Sequence, residues 1–503
     1  MKIKLNNHEL TITWYTVLYW GLISFFVFYI ARDLAYNTAF VDEAIYATVG
    51  EEVLRKIFWE DAISWMGGSY LYPVVSALIN RQLGLTGVRL FAMLCVLLTG
   101  IIAGKVAKKF AGKTAELITL FIFLFLSISL DLAQIGTYDA PSLAFVALSF
   151  YFALKSGESE GRRKIDLLFL SSISAGISII IKYIAVFIIP ADMLLLVTLG
   201  FKKNPDKSLI ENMRAEMKNI IIWLIPIGLM LGYYALLYFE KIVAFFKGGN
   251  SSQPDTTYNI LSEIVNKANI ILLGLVVALV VAFKSKNSYK KWLVYTLFAS
   301  GSIPLIYHIG FSNIRSLWKH LVFTSFFWTP AVAWPLVKLY KTIRSGYGKN
   351  VYYHNLAQFT LTVLIIGILT SMWLNFSKHW RFQRSWPSAT PAIEFLETHR
   401  KPDDKIFAEA SAIYKYHLFT GFEDPSSWSS TWYFEYKGEF GLPAMRKAIQ
   451  DRYFAYVILN HYFTNYLDSQ LEEELYKYYK VTLEYNYKVS GVYDNPTVIW
   501  EPK

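Results

Sequence analysis

The 503-residue chain is 54% hydrophobic, above the roughly 45–50% of soluble domains, and its apolar residues come in long blocks. The basic residues that give a net charge of +11 lie in short loops between these blocks, which argues against a nucleic-acid-binding face. A single cysteine, Cys95, excludes an intrachain disulfide and leaves only His and carboxylates as ligands for a metal.

Eleven apolar blocks have the length needed to cross a bilayer, so we predict a mostly α-helical, polytopic membrane protein. The first block follows a short basic start and has no clear cleavage site after it, which indicates a retained signal anchor. Together the spans make residues 1–376 a transmembrane domain. They are predicted at residues 14–30, 86–104, 114–130, 140–154, 166–182, 184–200, 219–239, 269–283, 292–309, 321–337 and 356–376.

The loops between these spans alternate in charge. If the N-terminus is cytoplasmic, every inward loop is rich in Lys and Arg, and the outward loops are poorer in both. The positive-inside rule favours this orientation, in a multi-pass protein of the cytoplasmic membrane. An odd number of spans then places the C-terminal residues 377–503 outside. The inward loops are 105–113, 155–165, 201–218, 284–291 and 338–355.

Two outward loops are long. In the first, 31–85, we predict interfacial helices over Ala44 to Trp59 and Tyr70 to Leu83, separated by Gly67-Gly68-Ser69. The second, 240–268, is rich in Gly, Ser and Pro around its centre and is predicted to be mobile. It either orders over a bound substrate or is an ordinary surface loop.

The C-terminal segment 377–503 alternates strand and helix patterns, which predicts a small α/β domain with an open sheet. We predict a helix over Ser388 to His399 with Thr390 as its N-cap. The other predicted elements are strands Ile406–Ala408, Tyr456–Leu459, Tyr479–Glu484 and Thr497–Trp500, helices Leu442–Tyr453 and Asn465–Tyr478, and a turn around Gly491.

Three carboxylates are candidates for catalysis on the outward face. Asp42 and Glu43 are adjacent and follow the first span closely, which suits a general base and its polar partner. Alternatively, Asp42 caps the following helix and Glu43 is a first-turn acid that favours the helix dipole. Asp139 precedes the fourth span and is either a site residue or an N-cap before Pro141.

Four basic residues are candidates for binding an anion, because ionisable residues near a membrane span are often functional. Lys182 lies at the bend between two spans, and Arg315, Lys319 and His320 precede the tenth. The alternative for all four is an anchoring role at the membrane interface. Tyr70, which opens the second interfacial helix, is a further substrate-binding candidate.

An ordered set of motifs resembles the GT-C glycosyltransferases. It consists of Phe40-Val-Asp-Glu-Ala-Ile-Tyr46, Tyr72-Pro73, Gly87-Val-Arg89-Leu, Tyr138-Asp139-Ala-Pro141-Ser, and Gly176 with Ile181-Lys182-Tyr. The nearest branch is that of protein O-mannosyltransferases and lipid A aminoarabinose transferases. The resemblance covers residues 14–200 well and the later spans by pattern, and the α/β domain resembles the one that ends many bacterial members.

The resemblance implies transfer of a sugar from a polyprenyl phosphate to an acceptor hydroxyl of a lipid, glycan or protein. Asp42 would be the general base, the reaction would invert the anomeric carbon, and the basic candidates would bind the departing phosphate. No cofactor is expected to be required, and a divalent cation is possible but not indicated.

Two other kinds of function are compatible with a polytopic chain. A transporter or flippase of lipid-linked saccharides should show inverted repeats and charges near the bilayer midplane. Here the charged candidates cluster at the predicted outward face and the sequence shows no internal repeat, which favours an enzyme. A scaffold that binds a partner through its α/β domain gives no reason for acids and bases to share the outward face.

Overall fold

The structure is a computed structural model that describes residues 2–5, 8–11, 13–57, 61–248, 255–345, 351–419, 424–487 and 496–503. By their internal contacts the residues form two units. We call Met1–Leu34, Ala62–Ser69 and Arg89–His379 the membrane unit. The sheet unit contains Ala35–Asp61, Tyr70–Val88 and Trp380–Lys503. The sheet unit thus includes most of the predicted outward loop 31–85 together with the C-terminal segment.

The N-terminal part of the chain is helical after a short hairpin of β1 (Lys2–Leu5) and β2 (His8–Thr11). Every predicted span overlaps at least one observed helix. The observed helices are α1 (Trp14–Ala31), α2 (Val41–Leu54), α3 (Ile63–Met66), α4 (Leu71–Ala111), α5 (Lys113–Leu124), α6 (Ser127–Ala133), α7 (Asp139–Ser156), α8 (Gly161–Ile181), α9 (Ile188–Lys203), α10 (Leu209–Gly248), α11 (Thr257–Phe283), α12 (Ser288–Gly310), α13 (Leu317–Ser345) and α14 (Val351–Phe382).

Within the described residues, eight helices are long and apolar enough to cross a membrane. The number is nine if α5 and α6, which meet at a bend of 68°, form one broken span. The remaining predicted spans, 140–154 and 356–376, are helical as α7 and α14. The prediction of a polytopic helical membrane protein is therefore confirmed. Within the membrane unit, α13 is almost entirely buried and packs against α5, α11 and α12.

The outward loops contain more helix than the sequence pattern predicts. In the segment 240–268, α10 continues to Gly248 and α11 begins at Thr257, because apolar residues extend on both sides of the glycine-rich centre. That centre, residues 249–254, lies outside the described residues. The interfacial helix expected from Ala44 begins earlier, at Val41, and the helix expected over Tyr70 to Leu83 runs on as α4. Gly84, with φ +63°, breaks α4 where the two predicted elements meet.

The C-terminal part of the sheet unit is an α/β fold around a five-stranded sheet of order β4-β3-β7-β9-β8. Strands β4, β3 and β7 are parallel, and β9 runs antiparallel to both β7 and β8. The elements are α15 (Thr390–His399), β3 (Ile406–Ala408), α16 (Ser411–Leu418), β4 (Trp428–Ser430), β5 (Glu435–Tyr436), β6 (Glu439–Phe440), α17 (Leu442–Gln450), β7 (Tyr456–Leu459), α18 (Asn465–Tyr478), β8 (Tyr479–Asn486) and β9 (Pro496–Pro502).

Alternate residues of the short strands point to opposite sides of this sheet, and both sides are buried. Ile406 and Ile458 join one apolar cluster with side chains of α15, α16 and the start of α2. Phe407 and Val457 join the other, with side chains of α17 and α18. Helices on both faces explain why these strands read as continuous apolar runs in the sequence.

The predicted α/β fold is confirmed, with differences in detail. Helix α15 has Ala389 as its N-cap, and Thr390 is its first residue rather than its cap. Helix α16 and strand β4 were not predicted from the sequence. The predicted turn around Gly491 falls on residues 488–495, outside the described residues.

Candidate functional site

Two lysines surround one buried aspartate in the membrane unit, and we call Asp139, Lys182 and Lys319 the lysine cluster. Asp139 is the first residue of α7 and is fully buried. The Nζ of Lys182 donates to its Oδ1, and the Nζ of Lys319 lies 3.9 Å from its Oδ2. Both lysine side chains are almost completely buried, at 5% and 6% exposed. The cluster therefore holds more positive than negative charge away from bulk water.

The backbone around Lys182 is fixed by a glycine-containing segment before α4. Helix α8 ends at Ile181, and Lys182 is extended, with φ −148° and ψ 119°. The N–H of Ser69 donates to the carbonyl of Ile180 at 2.9 Å, and the N–H of Tyr183 donates to the carbonyl of Gly67 at 2.9 Å. These bonds replace the helical ones that the chain loses at the break, and so they hold Lys182 in place.

Gly68 makes that close approach possible. A Cβ on Gly68 would lie 2.2 Å from the carbonyl oxygen of Ile181, so any other residue would push the two backbones apart. Tyr138, the N-cap of α7, adds a further tie, because its hydroxyl donates to the carbonyl of Met66 at 3.0 Å. The Nζ of Lys182 lies 4.7 Å from the centre of the Tyr138 ring, a cation–π contact.

A pair of histidines connects the end of α12 to the start of α13. The Nε2 of His308 lies 2.7 Å from the Nδ1 of His320, and the Nδ1 of His308 lies 2.5 Å from the carbonyl oxygen of Asn313. A carbonyl only accepts, so His308 donates from Nδ1; when neutral it accepts at Nε2 from the Nδ1–H of His320. This chain of hydrogen bonds fixes the first turn of α13, where Lys319 lies.

The structure thus brings together Asp139, Lys182 and Lys319, and it places His320 next to Lys319 in the chain. It does not bring Arg315 to them. Arg315 lies in the turn between α12 and α13, where its side chain is exposed and its N–H donates to the Oδ1 of Asn313 at 2.8 Å. The predicted N-cap role of Asp139 does not apply, because the N-cap of α7 is Tyr138.

The other candidates belong to the sheet unit. The N-cap of α2 is Phe40, so Asp42 lies in the first turn and does not cap the helix. Glu43 is 1% exposed, and its Oε2 accepts the N–H of Phe40 at 2.8 Å, which makes it the capping carboxylate. Asp42 is only partly buried, and Tyr70 is partly exposed immediately before α4.

Two contributors to this geometry were not predicted. The sequence pattern places His308 inside an apolar span, although an ionisable residue near the end of a span is itself a signal of function. From the sequence, Gly67-Gly68-Ser69 predicts only a break between two helices. Its contacts with Ile180 and Ile181 are between backbone atoms, which leave no side-chain pattern in the sequence.

Comparison with known proteins supports the predicted resemblance. Residues 66–210 match the family model of dolichyl-phosphate-mannose-protein mannosyltransferases. ArnT from Cupriavidus metallidurans, solved with undecaprenyl phosphate, is similar with a TM-score of 0.59 and 12% identity, over 96% of this chain and 98% of ArnT. None of the curated proteins compared with the chain matches it significantly.

A second solved structure has the same fold over nearly the whole of this chain. The archaeal oligosaccharyltransferase AglB from Archaeoglobus fulgidus, in complex with an inhibitory peptide and a dolichol-phosphate, has a TM-score of 0.51 and 11% identity. The similarity covers 98% of this chain and 77% of AglB. ArnT and AglB are both GT-C glycosyltransferases. The match over residues 66–210 and the shared fold agree with the predicted resemblance to GT-C glycosyltransferases and show that the chain has a GT-C-like fold.

Proposed function

We propose that the chain transfers a sugar from a polyprenyl-phosphate donor to an acceptor hydroxyl, at the outer face of the cytoplasmic membrane. The observation that carries this proposal is the lysine cluster, in which two buried cations share one carboxylate. The comparisons agree with a lipid-phosphate donor, because ArnT was solved with undecaprenyl phosphate and AglB with a dolichol-phosphate. The acceptor is a lipid, glycan or protein.

Lys182 and Lys319 are proposed to hold the phosphate of the donor. When the bond between the anomeric carbon and the phosphate oxygen breaks, the electron pair stays on that oxygen, and negative charge grows on the leaving group. Fixed cations in a water-poor site stabilise such a charge far more than cations in water. Asp139 keeps the two lysines together while the free protein awaits its donor.

Asp42 is proposed as the general base, as the family resemblance implies. It accepts the proton of the acceptor hydroxyl as the hydroxyl oxygen attacks the anomeric carbon from the side opposite the phosphate, which inverts that carbon. Glu43 accepts the N–H of Phe40 and so has a capping role, and we assign the role of base to Asp42, as the resemblance implies.

The test of this role uses purified protein in lipid nanodiscs with a polyprenyl-phosphate sugar and an acceptor. We expect Asp42→Asn to lower transfer by about 10²–10⁴-fold while donor binding is retained. Asp33→Asn is the control, because Asp33 is half exposed and pairs only loosely with its neighbour Arg32, at 3.9 Å. Unchanged transfer by Asp42→Asn would remove it as the base. Movement of intact donor across the bilayer, with no polyprenyl phosphate released, would support a transporter instead.

We also propose that the N-terminus is cytoplasmic and that the C-terminal sheet lies outside, as the positive-inside rule predicts. Because the native Cys95 is buried, cysteines introduced at Lys203 and Ser469 can be labelled selectively. In intact cells, a membrane-impermeant maleimide should label Ser469→Cys and not Lys203→Cys. The reverse labelling would overturn the orientation.

A further inference from the structure

The sheet unit contains a polar cleft that none of the proposed catalytic residues lines. It lies between α2, the N-terminal part of α4 and α16, and measures about 590 Å³ including its open mouth. Four of its lining residues are charged, and two are aromatic. The lining residues are Ala47, Thr48, Glu51, Arg55, Asn80, Arg81, Lys415, Tyr416 and Phe419.

Arginines outnumber acids in the wall of this cleft. Arg81 donates to both carboxylate oxygens of Glu51, at 2.8 and 2.9 Å, and the Nε of Arg55 donates to Oε1 at 2.5 Å. The hydrogen bond from Arg81 lowers the pKa of Glu51, so this carboxylate stays ionised. One carboxylate thus serves two guanidinium groups, and most of the N–H donors of both arginines are not used by it.

The other polar groups in the wall are also engaged within the protein. The Oδ1 of Asn80 accepts the hydroxyl of Tyr416 at 2.5 Å, which leaves the amide NH₂ of Asn80 as a donor. The hydroxyl of Thr48 donates to the carbonyl of Ala44 at 2.8 Å. Lys415, which also lines the cleft, donates to the buried carboxylate of Glu52 at 2.5 Å. The cleft therefore offers many donors and few acceptors, which suits an anionic ligand.

Aromatic surface lies next to these donors. Phe419 is partly exposed, and its ring lies 5.5 Å from the Nζ of Lys415. Tyr416, whose hydroxyl is fixed on Asn80, presents a second ring to the cleft. Pockets that combine apolar rings with a few placed polar groups fix both the position and the orientation of a small ligand. A sugar ring that carries a phosphate matches both parts of this wall.

We infer that this cleft binds a phosphorylated sugar, with Arg55 and Arg81 on the phosphate and Phe419 and Tyr416 against the ring. The inference is independent of the proposed transfer reaction, because binding at the cleft needs neither Asp42 nor the lysine cluster. A free sugar phosphate and the phosphorylated headgroup of a glycolipid present the same chemistry to it.

The test is calorimetric titration of the purified full-length protein with glucose 1-phosphate, inorganic phosphate and glucose. We expect glucose 1-phosphate to bind several-fold more tightly than phosphate or glucose. Arg81→Gln should weaken it about 10-fold, whereas Glu51→Gln should strengthen it, because both guanidinium groups lose their internal partner. A purely structural ion pair predicts no gain from Glu51→Gln.

Two controls make the result decisive. Lys477→Gln removes an exposed lysine that pairs with Glu473 on α18, and it should leave binding unchanged. Lys437→Gln, at a second exposed pair with Asp451, should also leave it unchanged; loss of binding with either control and not with Arg81→Gln would overturn the inference. Equal affinity for phosphate and glucose 1-phosphate would overturn the assignment to a sugar. Competition by vesicles that contain a phosphorylated glycolipid would identify a headgroup as the source, and its absence would identify a soluble sugar phosphate.

Discussion

Two clusters in the membrane unit each pair one carboxylate with two lysines, but their lysines differ in exposure to water. Glu116 pairs with Lys105 and Lys108 at 3.1 and 2.8 Å, just as Asp139 pairs with two lysines. The lysines at Glu116 are 37% and 35% exposed, whereas those at Asp139 are 5% and 6% exposed. Water and salt screen the first pair of cations and hardly reach the second.

Because the lysines of the two clusters differ in burial, we expect the clusters to have different roles. Exposed lysines around Glu116, which also accepts the hydroxyl of Tyr15, suit a predicted cytoplasmic surface and contribute little energy beyond anchoring. Buried lysines around Asp139 retain a strong field, because water screens them little. Of the two clusters, the lysine cluster is therefore the one at which we propose that a lipid phosphate binds.

The largest expected effect is on stability. Asp139→Asn leaves two lysines buried without their carboxylate and should lower the free energy of unfolding by about 3–5 kcal/mol. Glu116→Gln leaves lysines that water can solvate, so its loss should be clearly smaller. Unfolding of both variants in detergent, followed by fluorescence, measures the two values. Equal losses would break the comparison.

The second prediction concerns catalysis. Lys319→Met should lower sugar transfer by about 10²–10³-fold, because it removes a cation that faces the growing charge of the leaving phosphate. Lys108→Met, the matched change at the exposed cluster, should keep transfer within about twofold of the parent. Initial rates with saturating donor provide the measurement. A similar loss in both variants would show that burial does not distinguish them.

A third site, in the sheet unit, differs from both lysine-containing clusters because it places two acids, Glu409 and Asp468, next to each other. Burial, followed by the charge of Asp468, raises the pKa of Glu409 to about 7, and burial raises the pKa of Asp468 to about 6. Acids with raised pKa values favour the folded state when protonated. The contribution of these two acids to folding stability should therefore be largest below about pH 4, near their unfolded values, and should be lost as the pH rises through about 6 to 7.

Glu409→Gln tests that contribution. The loss of stability between pH 5 and pH 8 should shrink by about 1–3 kcal/mol, measured by thermal unfolding of the full-length protein. Glu473→Gln, on the exposed face of α18, should leave the pH dependence as it is. An unchanged pH profile in Glu409→Gln would contradict the assignment.

The smallest effect tests how the lysine cluster is positioned. A Cβ at Gly68 would clash with the carbonyl of Ile181, so Gly68→Ala should shift Lys182 and lower transfer about 10-fold. Gly232→Ala is the control, because a Cβ there meets nothing within 4 Å. The measurement is the rate of sugar transfer by the two variants at equal expression. Full activity of Gly68→Ala would show that the segment does not position Lys182.

Much of the fold could be predicted from local pattern. Strand Tyr456–Leu459 and helix Asn465–Tyr478 were predicted with their observed bounds, because a buried apolar run and a charged amphipathic stretch are distinct signals. Helix α16, which is rich in Tyr and short, gave no such signal. The break at Lys182 was expected from the near absence of a loop between two spans.

The site was only partly predictable. Asp139, Lys182 and Lys319 were chosen because charges beside apolar spans are costly, and the fold brings these three together. The same rule selected Arg315, which remains exposed in a turn, because sequence does not show which side of a helix end faces inward. Glu43 was expected to assist a base, and its hydrogen bond to Phe40 shows a capping role.

The most direct measurement is the affinity of the purified protein for undecaprenyl phosphate, with Lys182→Met and Lys105→Met compared in the same nanodiscs. We expect Lys182→Met to weaken binding by at least about 10-fold and Lys105→Met to leave it within about twofold. Undiminished binding by Lys182→Met would contradict the claim that the buried lysines of the lysine cluster hold the lipid phosphate.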